Sequence, residues 1–140
     1  VEITVTLPWP PAECSPNWRG HWAKRRDAVN AGKWIAHSRT QNWLTDKGIF
    51  IVNDLGFFMK RLSANYILRP PDRRRRDIDN FVARCKPFLD GICTALGIDD
   101  FQIKRTTAEW GEVVKGGEVE ITIGVIEESE DDEKEQKYAT

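Results

Sequence analysis

The chain opens on an alternation of polar and apolar residues, Glu2-Ile3-Thr4-Val5-Thr6-Leu7, rich in β-branched side chains. This predicts a half-buried strand, which Pro8, Pro10 and Pro11 end. From about Trp22 to Leu44, Trp22, Val29, Ala36 and Trp43 recur every seven residues, with Ala28, Ala31 and Ile35 on the same broad side. That spacing predicts an amphipathic helix whose outer face carries Lys24, Arg25, Arg26, Lys33 and Arg39. Thr45-Asp46-Lys47-Gly48 stops it. A second extended segment is expected from about Phe57 to Leu68, broken by Pro70-Pro71-Asp72. A second helix is expected from Asp79, with Leu89, Ile92, Cys93 and Leu96 as its core face and Gly97 as its end. Pro87 either kinks this helix or lies in the first turn of a restarted one. Two further strands, about 102 to 110 and 118 to 126, are expected as a hairpin around Lys115-Gly116-Gly117. The predicted fold is α+β: a small mixed four-stranded sheet with two main helices, in the order β-α-β-α-β-β.

Length and composition narrow this picture. The 140 residues suffice for one domain with a real core. Cys14, Cys85 and Cys93 are odd in number and lack zinc or CxxC spacing, which suggests reduced thiols in a cytoplasmic protein. No apolar run nears the roughly 18 residues that span a bilayer, and no signal-peptide pattern opens the chain, so a soluble chain without a membrane partner is expected. The net charge of −1 hides a division. Residues 127 to 140 hold seven acids and two lysines, net −5, leaving 15 acids and 19 bases, net +4, in residues 1 to 126. The expected organisation is a basic folded domain, 1 to 126, followed by a disordered acidic tail, 127 to 140. The positive excess lies largely between Lys60 and Arg76; it suits phosphate binding, or forms a solvated face. Tryptophans of the loop from Cys14 to Trp22 could stack on nucleic acid or fill the core. His21 and His37 lack metal-ligand spacing and read as surface or capping residues.

Candidate chemistry concentrates between Arg73 and Asp100. Four arginines, Arg73 to Arg76, lead directly into Asp77-Ile78-Asp79-Asn80. In an extended segment Asp77 and Asp79 would lie on one side and could share a divalent ion. Alternatively, Asp79 caps the helix. In a continuous helix from Asp79, Ala83, Lys86 and Asp90 fall within about 40° of its face at roughly 100° per residue, so Lys86 could look toward the acids. Asp100 stands at the entry to a strand, where helix packing could return it to Asp77 and Asp79. Each close pair of carboxylates costs on the order of 1 kcal/mol in water and about 4 near a protein surface, a penalty that a cation would remove.

Three segments together resemble the RusA-type Holliday-junction resolvases: Asp77-Ile78-Asp79-Asn80, Lys86-Pro87-Phe88-Leu89-Asp90-Gly91-Ile92, and Gly97-Ile98-Asp99-Asp100-Phe101-Gln102-Ile103. Leu7-Pro8-Trp9-Pro10-Pro11, Ser15-Pro16-Asn17 and the C-terminal strands also fit, so the similarity spans about residues 1 to 126. The resemblance implies a homodimer that binds four-way DNA junctions and makes paired nicks with Mg2+, for which Mn2+ can substitute. It places the metal-binding acids at Asp77, Asp79 and Asp100, the essential lysine at Lys86 and a junction-contacting base at Arg76. Here the lysine stands about one helical turn farther from the DxDN segment than in many relatives. Asn80 and Asp90 match the motif as supporting residues. Lys60, Arg61, Arg69, Arg73, Arg74 and Arg75 would add phosphate contacts that position DNA without reading its sequence. Two other classes share these features: a nuclease for forks or flaps, and a branched-DNA binder without catalysis.

Overall fold

A computed structural model describes residues 2–50 and 55–127. Its strands are β1 (Glu2–Pro8), β2 (Leu62–Arg69), β3 (Ile103–Trp110) and β4 (Glu118–Val125). Its helices are α1 (Trp22–Asp46), α2 (Ile78–Arg84) and α3 (Lys86–Leu96). The four strands form one mixed sheet in the order β1-β4-β2-β3. The α+β class and the strand count match the expectation from sequence. The predicted acidic tail lies, apart from Glu127, outside the described residues.

The C-terminal strands are adjacent in sequence but not in the sheet. β4 runs antiparallel between β1 and β2, pairing Leu7 with Val119 on one side and Leu68 with Val119 on the other. β3 pairs in parallel with the far edge of β2. The expected hairpin is therefore replaced by a connection that carries the chain across the end of β2. Gly111 N–H donates to Leu68 O at 2.8 Å and Val114 N–H to Pro70 O at 3.0 Å along the way. Gly116 and Gly117 both take positive φ, so the predicted turn exists without joining paired strands. Side-chain content explains the exchange. Val119, Ile121 and Ile123 of β4 are fully buried, as an interior strand requires, whereas Lys104, Arg105, Thr106 and Thr107 of β3 are exposed, as suits an edge. A parallel pair needs a long crossover, which α2 and α3 supply.

The second helix is two. Pro87 has no N–H to donate, so the ladder ends at Cys85 and α3 restarts with Lys86 and Pro87 in its first turn. Gly97 terminates α3 with φ of 64°, as expected. β2 begins only at Leu62. Before it, Phe57 to Lys60 form a turn in which Lys60 N–H donates to Phe57 O.

In α1 the buried positions are Gly32, Ala36, Thr40 and Leu44, spaced by four, rather than the predicted sevenfold stripe. Trp22 is exposed, and so is Ala31. The stripe is set by how closely α3 must approach. A Cβ on Gly91 would stand 2.2 Å from the Lys33 carbonyl oxygen and 3.0 Å from the Ala36 Cβ, while one on Gly32 would press on Pro87. Small residues let the two helices meet, and Thr40 is tolerated inside because its hydroxyl donates to Ala36 O at 2.7 Å. The pair covers one sheet face, where Ile3, Val5, Leu7, Leu62, Leu68, Ile121 and Ile123 pack with Phe88, Ile92 and Leu96.

This crossing gives an opposed pair of expectations. Gly to Ala inside a helix ordinarily stabilises by about 1 kcal/mol, whereas overpacking costs about 1–3 kcal/mol. Since the Gly91 Cβ would meet rigid backbone, Gly91→Ala is expected to lower stability in urea unfolding. A raised midpoint would contradict the close approach.

Candidate functional site

The arginine run leaves β2 through Pro70, Pro71 and Asp72, and Asp72 organises it. The Asp72 carboxylate accepts the Arg74 N–H at 2.9 Å and the Arg76 guanidinium at 2.6 Å, with the Arg74 guanidinium at 3.5 Å. These contacts, led by the Arg74 N–H, hold the carboxyl below its ordinary pKa. Arg76 also donates to the carbonyls of Asp72 and Arg74, both at 3.0 Å, and lies over the rings of Trp9 and Phe81. Its side chain is only 11% exposed. Arg76 is therefore bound into the fold, and Arg73, Arg74 and Arg75 are left on the surface. With Pro70, Trp110 and Val113, the run lines a shallow groove of about 260 Å³.

Phe81 anchors the start of α2 in this place. Its ring meets Trp9 at 4.9 Å and Trp110 at 5.7 Å, and the Arg84 guanidinium stands over it at 4.4 Å. Arg84 donates to Pro10 O at 2.6 Å, tying α2 to the proline loop after β1. Burial depresses its pKa.

Asp77 caps α2: its Oδ1 accepts the Asp79 N–H at 3.1 Å. The capping role considered for Asp79 thus belongs to Asp77, and Asp79 sits in the first helical turn, where its charge complements the helix dipole. The extended geometry expected for the pair is not found, because the helix begins at Ile78. Both aspartates are exposed, and Asn80 follows half-buried.

Lys86 makes a second cluster. Past Gly97 the chain doubles back along α3, so Asp100 Oδ2 meets Lys86 Nζ at 2.7 Å, while Asp90 Oδ1 reaches the same amine at 3.0 Å from one turn along the helix. The Asp100 hydrogen bond chiefly raises the Lys86 pKa, and Lys86 lowers that of Asp100. Asp99 has a separate task. It caps the 3₁₀ turn Asp100–Gln102, accepting the Phe101 N–H at 2.9 Å, while Gln102 Oε1 accepts the Asp99 N–H. This capping box fixes Asp100 on the side of Lys86.

The structure thus unites Lys86, Asp90 and Asp100, and sets Asp77 and Asp79 on the preceding short helix. Among the described residues no group of three or more His, Cys, Asp or Glu side chains is arranged to hold a metal ion. The three acids fit a hard cation in donor type, since all offer carboxylate oxygen. Asp77 uses Oδ1 for its cap, and Asp100 uses Oδ2 for Lys86.

The remaining sequence candidates divide similarly. Arg69 is engaged with Glu118 at 3.1 Å and Glu120 at 3.6 Å on the sheet. Lys60 is exposed, and Arg61 is half-buried and engaged. His21 caps α1 by accepting the Ala23 N–H, as its position suggested. All three cysteines are free and buried, with burial pushing the Cys85 and Cys93 thiols up to about 12. Asp72 and Asp99 are structural acids that sequence reasoning missed. The signal for Asp72 was the Pro-Pro-Asp turn, where an aspartate commonly binds the N–H two residues on.

No helix among the described residues is long and apolar enough to cross a membrane. No family model matches the chain. An uncharacterized protein of Xylella fastidiosa (strain Temecula1 / ATCC 700964) is 38% identical over 122 residues, covering 86% of this chain and 74% of that protein. The crossover junction endodeoxyribonuclease RusA of Escherichia coli (strain K12) is 30% identical over 124 residues, covering 86% of this chain and 92% of the relative. RusA of Shigella sonnei (strain Ss046) matches to the same extent. With the similarity running through nearly the whole of those relatives, this chain belongs to the RusA family.

Proposed function

We propose that this chain is a Mg2+-dependent, structure-selective endonuclease that resolves four-way DNA junctions by paired nicking, acting as a homodimer so that two sites face two strands. The observation that carries the reading is the 30% identity to crossover junction endodeoxyribonucleases over 92% of their length. The surface arginines beside α2 and the Lys86 cluster on α3 support it.

Asp77, Asp79 and Asp100, which are not grouped for a metal ion in this structure, would have to close on the cation, which when bound would supply an activated water and neutralise charge on the phosphoryl oxygens. Asp79, exposed in the first turn of α2, is the least committed donor. Lys86 has a positive charge poised between two carboxylates, and it would stabilise charge developing on the phosphate in the transition state. Asp90 keeps that amine in place when Asp100 turns to other work. Arg73, Arg74 and Arg75 would meet the phosphate backbone and set the orientation of the junction. Arg76 would shape that loop rather than touch DNA, since Asp72 and the two rings already occupy it.

A branched-DNA binder without catalysis has one observation in its favour: Asp77 and Asp100 both have work inside the fold, as a cap and as an ion-pair partner. A magnesium-dependent nicking assay on a synthetic mobile junction, compared with a fork and a plain duplex, separates the readings. Asp79→Asn is expected to keep junction binding while losing cutting by about a hundredfold or more. Robust cutting by that variant would remove the proposed site.

The arginines give a second expectation, read from the salt dependence of junction affinity. Replacing Arg73, Arg74 and Arg75 together by Ala should lower the log–log slope by up to about 0.9 for each phosphate no longer neutralised. Arg76→Ala should leave the slope nearly unchanged and lower the urea midpoint of the free protein. A slope that falls with Arg76 and not with its three neighbours would reverse the assignment.

A further inference from the structure

Two turns distant in sequence present large apolar side chains on one groove of about 450 Å³ at the end of α3. Phe58 is 69% exposed, Met59 81% and Phe101 74%. These side chains are held outward rather than left loose. Phe57, next to Phe58 in the chain, is buried in the core, and Gln102 Nε2 donates to Phe57 O at 2.9 Å and to Lys60 O at 3.1 Å, locking one turn to the other. Met59 adopts a φ of 56°, which a long side chain rarely takes, so the tip of its turn is fixed against local preference.

The surroundings of the patch decide its occupant. Lys60, Arg61 and Lys104 line the groove, and Lys104 Nζ lies over the Phe101 ring, 3.5 Å from its centre, a place that a stacking base would take from it. The acid in the lining, Asp99, is committed to the Phe101 N–H. Flat apolar faces rimmed by cations match a nucleobase and its phosphates, whose π-face stacks while its charge is met at the edge. Phe101 also directly follows Asp100, the partner of Lys86.

We propose that the Phe58–Met59–Phe101 groove receives an unstacked nucleobase at the branch point of the DNA, with Phe101 as the stacking surface and Lys60 and Lys104 meeting the adjacent phosphates. This rests on the branched-DNA reading above. Such a wedge would distinguish a junction, where stacking is already interrupted, from a continuous duplex, where a base must be extracted at a cost. Phe101 is then a specificity-determining residue rather than a catalytic one.

The test uses the full chain and a four-way junction carrying 2-aminopurine at the branch nucleotides, beside an unbranched duplex of the same sequence. Wild-type protein should change the 2-aminopurine fluorescence of the junction and not of the duplex. Phe101→Ala should abolish that change and weaken junction binding by about tenfold, with duplex affinity unaltered. Phe101→Trp should restore both. Because the side chain is exposed, both variants are expected to keep the wild-type circular dichroism. Wild-type signal and affinity in Phe101→Ala would overturn the inference. So would sedimentation showing that Phe101→Ala dissociates a dimer while the fluorescence response persists, since the face would then seat a second copy of the chain. If the wild type itself does not prefer junction over duplex, the branched-DNA reading falls and takes this inference with it. A selective wild type whose junction-to-duplex preference is undiminished in Phe101→Ala removes this inference alone.

Discussion

The missing amide hydrogen of Pro87 is the constraint on which the site depends. A continuous helix from Ile78 to Leu96 would have to point its two ends along one line. The break at Cys85 lets α2 be held by Phe81 among Trp9, Trp110 and Arg84, while α3 lies in the close crossing with α1 that Gly32 and Gly91 permit. Two separate packing problems are thereby solved by two short helices. The DxDN segment goes to the mouth of the arginine loop, and Lys86, at the start of α3, is free to meet an acid returning from that helix's far end.

Charge in this region is sorted by depth. Arg76 is held inward by the half-exposed Asp72, and the loop they stabilise displays the three preceding arginines at the surface. Lys86, flanked by Asp90 and Asp100, lies at a half-exposed position, where solvent moderates the attraction. An inner charge sets geometry, and an outer one remains available. A run of four identical side chains therefore divides into one held within the fold and three displayed on its surface.

Much of this was legible from residue patterns. The strand content, the stop at Gly97 and the restart at Pro87 follow from local chemistry that tertiary packing did not override. The chain path through the sheet did not, because pairing partners depend on which strand is buried on both sides. The apolar alternation of Val119, Ile121 and Ile123 against the charges of Lys104 and Arg105 contained that information, but sequence proximity suggested a hairpin instead. The α1 stripe was misread for a related reason. Tryptophans dominate a count of hydrophobic positions, yet the buried line is drawn through Gly32, Ala36 and Thr40, where a neighbouring backbone must come near. In the site, residue identities pointed to Lys86 and Asp100, and the structure joins them. The roles of Asp77 and Arg76 within the fold rest on contacts at 2.6 to 3.1 Å that spacing alone does not specify.

The place of β4 between β1 and β2 has a bearing on how the protein is made. β1 is synthesised near the start, yet its hydrogen-bonding partner is translated more than a hundred residues later, as Ile3 opposite Ile123 illustrates. Until β4 leaves the ribosome, β1 and the inner edge of β2 have no strand between them. Closure of so long a loop is slow compared with helix formation. The helices and the β2–β3 crossover can form during synthesis, but the sheet is completed only after translation reaches its last strand, and completion joins the two ends of the domain in one step.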